Sequence, residues 1–143
     1  MTINTASAAI SLARKLETES AAFYEKSAER FPQGREVFAS FAKENGRNVV
    51  QFERAYYSVI TDALEGCFAF KIVEDNYTFD TQLESGDYSA ALTKALEIED
   101  RITKFYVDAA EQSRGLMADV PKAFLMIAKR RSSRAATLRS LLA

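Results

Sequence analysis

Residues 16–29 read LETESAAFYEKSAE, and residues 98–111 read IEDRITKFYVDAAE. In both stretches an apolar residue precedes a Glu, a Phe-Tyr pair follows and Ala-Glu closes the segment. Glu17 stands seven residues before Tyr24, and Glu99 seven before Tyr106. Seven residues make about two helical turns, so each Glu shares a helix face with its Tyr. The same faces carry Leu16, Ser20 and Ser27 in the first copy and Ile102 and Ala109 in the second. A carboxylate on an otherwise buried stripe is costly unless something pairs with it. Two such carboxylates at matching places point to one shared site.

The helical period extends outward from both stretches. A first helix is expected from about Thr5 to Glu29, capped by Thr5 or Ser7, and Phe31-Pro32-Gln33-Gly34 breaks it. So short a turn returns the next helix antiparallel to the first. That helix is expected from Arg35 to about Leu64, with Phe38, Phe41, Ala42, Asn45, Val49, Phe52 and Tyr56 inward and Asn48 one step along the same side. Gly46 interrupts it, against a neighbour or simply tolerated. Residues 65–89 form a long connection in which FAFKIV reads as extended or as a helix tail. A third helix follows from about Ala90 to Ser113, capped by Asp87 or Ser89 and stopped by Gly115. A fourth runs to about Leu142, with Asp119 as cap and Pro121 in its first turn. Its inner face reads Phe124, Ile127, Ala128, Arg131, Ala135 and Leu138, with Arg134 on the same side. The expected fold class is all-α, an antiparallel four-helix bundle with a long crossover between the second and third helices, formed by one domain.

Composition narrows the chemistry. The chain has 143 residues, 48% hydrophobic and 27% charged, as expected of one soluble domain. It has no His, which removes the usual general base and the commonest transition-metal ligand. A single Cys, Cys67, excludes an intrachain disulfide and a multi-Cys zinc site, and reads as a quiet thiol. No apolar run approaches a membrane span and the first residues lack a signal-peptide pattern, so a cytoplasmic location is expected. A net charge of −1 exerts no overall pull on nucleic acid, and neither nucleic-acid nor membrane binding is expected.

The two halves also match in their second helices. Phe41-Ala42-Lys43 corresponds to Ile127-Ala128-Lys129, which aligns Asn45 with Arg131 and Asn48 with Arg134. Nearly the whole chain resembles the ferritin-like superfamily, and most closely its rubrerythrin-type four-helix domains. The segments that carry the likeness are LETESAAFYE, FAKENGRNVVQFE, IEDRITKFYVDAAE and FLMIAKRRSSRAATL. The resemblance implies a lone Glu on each of two helices and Glu-x-x-His on each of the other two, arranged around two irons. Glu17 and Glu99 fall on the lone Glu positions. Asn45/Asn48 and Arg131/Arg134 fall on the Glu-x-x-His positions. Asn is a poor iron ligand, and guanidinium has no lone pair to give.

Two carboxylates and two guanidinium groups balance in charge. Arg131 and Arg134 are therefore expected to fill the space of the missing irons and to bind Glu17 and Glu99, with Asn45 and Asn48 taking the remaining bonds. The expected protein is a non-catalytic structural or interaction module without cofactor or catalytic residue, a homodimer with an unidentified protein partner. Phe68, Phe70, Tyr77 and Phe79 are expected as an exposed contact patch in the crossover. The alternative is an iron-binding or diiron-type oxidoreductase with non-standard ligands. A third reading has the two Arg gripping a small anion in the core. Tyr24 and Tyr106 read as core tyrosines with bonded hydroxyls rather than as redox groups. Lys129 and Arg130 fall outside the apolar stripe, and Glu44, Arg47 and Glu53 read as surface charges.

Overall fold

A computed structural model describes residues 2–59, 70–82, 86–114 and 119–143. Among these, four long helices carry the fold, which is all-α apart from a two-residue strand pair. They are α1 (Ala6–Arg30), α2 (Arg35–Val59), α3 (Tyr88–Ser113) and α4 (Val120–Leu142). Strands β1 (Thr2–Ile3) and β2 (Ile72–Val73) pair antiparallel, with Thr2 opposite Val73 and Ile3 opposite Ile72.

Local chemistry sets the helix ends. Thr5 caps α1, its hydroxyl accepting from the Ala8 amide at 3.2 Å. At the other end Phe31 precedes Pro32 and is extended, as the proline ring requires of its predecessor. A single 3-10 turn, Pro32–Gly34, then reverses the chain. Gly34 belongs there because an added Cβ would lie 2.8 Å from the rings of both Phe38 and Tyr88. Asp87 caps α3, accepting from the Ala90 amide at 2.6 Å. Asp119 stands at the start of α4 but makes no side-chain cap bond, and the proline in the first turn leaves one fewer amide to satisfy. The expected end of α2 near Leu64, the Gly115 stop and Cys67 lie outside the described residues.

Side-chain contacts join α1 to α2 and α3 to α4. Tyr24 meets Phe38 and Phe41, while Arg14 meets Glu53. On α3 and α4, Phe105 and Tyr106 meet Phe124, while Glu99 meets Arg131. Aromatic residues gather in two groups. Phe23, Tyr24, Phe38, Phe41 and Tyr88 make one; Phe52, Tyr77, Phe105, Tyr106 and Phe124 make the other.

The crossover aromatics among the described residues do not form an exposed patch. Phe70 and Tyr77 are buried and Phe79 is half-buried against the core; Phe68 is outside the described residues. The reason is anchorage on both sides. The Phe70 amide donates to the Asn4 carbonyl, the Lys71 amide to Gln112, and the Tyr77 phenol to Asp108 at 2.6 Å. These bonds hold the segment against α3 and the start of the chain. Among the described residues, the large apolar side chains that face solvent are Val50 and Tyr57 on α2, Val73 in β2, Val107 on α3, and Leu125, Met126, Leu141 and Leu142 on α4.

Candidate functional site

Each of the six expected site residues is buried: Glu17, Asn45, Asn48, Glu99, Arg131 and Arg134. The helical period delivers them, since each except Arg134 sits one or two turns from an aromatic core residue on its own helix. Tyr24 and Tyr106 are buried beside them.

Arg131 is the centre. Its guanidinium is fully enclosed and its donors reach four side chains. Nη1 donates to both oxygens of Glu99, at 2.8 and 2.9 Å. Nη2 and Nε donate to Oε2 of Glu17, at 2.7 and 3.2 Å. Nη2 also lies 3.1 Å from the Ser20 hydroxyl and 3.2 Å from Oδ1 of Asn45. One planar fork thus bridges the two carboxylates, a geometry suited to guanidinium and not to ammonium. Burial works against the charged Arg131, but Glu17 and Glu99 outweigh it and hold its pKa above the usual value.

The tyrosines close the cluster crosswise. Tyr24 shares a helix with Glu17 yet donates to Glu99 at 2.5 Å; Tyr106 shares a helix with Glu99 yet donates to Glu17 at 2.7 Å. Burial pushes both phenols well above their ordinary pKa, and the accepting carboxylates push further in the same direction. Asn48 donates to Oε1 of Glu17 at 3.0 Å, and Asn45 donates to Ser20 at 2.9 Å.

Arg134 departs from its expected role. It approaches Glu99 only to 3.5 Å, without a hydrogen bond. Its Nε instead donates to Glu44 at 2.8 Å and Nη2 to the Phe41 carbonyl at 3.1 Å. Its guanidinium also lies over the rings of Phe41 and Tyr24. Glu44 is therefore a partner of the site, only 32% exposed, and not a free surface charge. Arg130 also reaches inward, donating to Asn48 at 2.7 Å and to Gln51. Sequence reasoning missed Glu44, Arg130, Gln51 and the hydrogen-bonding role of Ser20. One signal was present: a residue three positions after Arg131 falls short of a full turn, so Arg134 turns toward a neighbouring helix and needs a partner there.

The charges balance. Glu17 and Glu99 face Arg131 and Arg134 in the interior, and Glu44 and Arg130 add one of each sign at the edge. All four carboxylate oxygens of Glu17 and Glu99 accept hydrogen bonds. Among the described residues no group of three or more His, Cys, Asp or Glu side chains could hold a metal ion. The donor set at the centre does not fit iron. The space between the two carboxylates is filled by a cation, and the amide oxygens of Asn45 and Asn48 are bound to arginines.

Compared with protein-family models, curated proteins and solved structures, the chain matches none. No helix among the described residues is long and apolar enough to cross a membrane.

Proposed function

We propose that this chain is a cytoplasmic, ferritin-like, rubrerythrin-related protein, an antiparallel four-helix bundle in which an arginine-centred ion-pair cluster stands where relatives would hold two irons. Its role is non-catalytic: a structural or interaction module that acts through its surface. The single observation behind this reading is Arg131 bridging Glu17 and Glu99 in the interior. A guanidinium there competes for the oxygens a metal would need. The carboxylates are also fully engaged, so neither is free to take a proton from a substrate. The homodimer rests on the family resemblance alone, because Phe70 and Tyr77, two of the crossover aromatics expected to make its contact, are packed into the core.

The test is elemental analysis of untagged protein produced with added iron and manganese. The expected result is less than about a tenth of a metal atom per chain, as a site with two engaged carboxylates and no imidazole should hold metal weakly. One or two tightly held atoms per chain would overturn the reading and favour the oxidoreductase alternative.

A further inference from the structure

We propose that the cavity between α1 and the connection at residues 81–82 binds a small organic phosphomonoester. It has a volume of about 370 Å³ and is lined by Phe23, Lys26, Ser27, Arg30, Thr81 and Gln82. Lys26 and Arg30 are one helical turn apart, so both ammonium and guanidinium reach the same side. Two hydroxyls and one amide add hydrogen-bond donors, Phe23 supplies an apolar wall, and among the described residues no carboxylate lines the cavity.

Three observations distinguish this place from an ordinary basic surface. First, Arg14 and Lys15 on the same helix are each paired with a glutamate, whereas neither Lys26 nor Arg30 has such a partner among the described residues. Asp80, next to Thr81 in the connection, lies 4.0 Å from Lys94. Second, the Ser27 side chain is 1% exposed and its hydroxyl has no hydrogen-bond partner. Other helical hydroxyls here, those of Ser113, Ser133 and Thr137, donate to the carbonyl four residues back. A buried polar atom left unsatisfied in this way needs an explanation, and a ligand oxygen supplies one. Third, Arg30 is positioned: its guanidinium lies over the Phe31 ring, and its Nη2 lies 2.7 Å from where a Cβ on residue 86 would stand, an approach that Gly86 permits.

A phosphate group matches this set. Its charge of nearly two meets two cations, and its oxygens accept from a guanidinium fork and from hydroxyls. The cavity is larger than the phosphate needs, and the Phe23 wall suits a small organic body attached to it.

The experiment is calorimetric titration of the full chain with inorganic phosphate and with phenyl phosphate. Both should bind saturably, phenyl phosphate several-fold more tightly. The double variant Lys26→Gln/Arg30→Gln should lose at least about tenfold in affinity, since charge-assisted bonds are the strong ones. Ser27→Ala should lose about fivefold, while its ligand-free melting temperature does not fall, because the change removes an unsatisfied hydroxyl. Absence of saturable binding, or wild-type affinity in either variant, would overturn the site. Phenyl phosphate binding no more tightly than inorganic phosphate would overturn the organic ester.

Discussion

Glu17 and Arg131 illustrate how a buried charge is tolerated. Each was costly to remove from water, and each is compensated by several short hydrogen bonds rather than by one partner. Such a cluster adds little net stability over an apolar core of the same shape, but breaking it leaves an uncompensated charge. Glu17→Ala should therefore destabilise by about 3–5 kcal/mol in denaturant unfolding. A variant that unfolds with the wild-type midpoint would remove the cluster from any account of this core. Arg131→Lys should also destabilise, because an ammonium cannot span both carboxylates as the fork does.

At the scale of the element, two glycines have opposite meanings. An added Cβ at Gly46, midway along α2, would meet nothing within 4 Å. Gly46→Ala should therefore stabilise by about 1 kcal/mol, the ordinary helix-propensity difference. That resolves the two sequence readings of Gly46 in favour of simple tolerance. Gly34 sits in the turn under two aromatic rings, and a Cβ there would overlap both Phe38 and Tyr88. Gly34→Ala should lower the melting temperature, as overpacking typically costs about 1–3 kcal/mol. Thermal melts of the two variants should move in opposite directions; movement in the same direction would contradict this packing. The helix caps behave similarly at smaller scale: Asp87→Ala should cost about 1 kcal/mol through the Ala90 amide it abandons.

For the whole molecule, the crossed tyrosines predict alkaline behaviour. Tyr24 and Tyr106 have folded-state pKa values raised above the ordinary phenol value of about 10. Above that pH the unfolded chain gives up phenolic protons that the folded chain retains, so stability falls as pH rises. Below about pH 10 both states keep these protons and the two phenols contribute no slope. Tyr24→Phe/Tyr106→Phe should flatten the decline of stability between about pH 10 and pH 11.5, at some loss of stability at neutral pH from the two missing donors. A double variant with the wild-type alkaline slope would show that these phenols do not govern it.

The period of apolar residues by itself determined the four helices, their turn at Pro32 and the burial of the six expected site residues. Those are local consequences of 3.6 residues per turn and of proline and capping chemistry. Seven-residue spacing placed Glu17 beside Tyr24 on one face, and both are buried. Spacing could not tell which carboxylate each phenol would choose, because that depends on how α1 faces α3. Only the tertiary structure assigned Tyr24 to Glu99 and Tyr106 to Glu17, gave Arg131 both carboxylates and sent Arg134 to Glu44. Long flexible side chains carry their charged ends well away from their own helix, so their partners are set by the distances between helices. The same holds for Phe70 and Tyr77, whose burial follows from backbone and phenol bonds to residues far away in the chain.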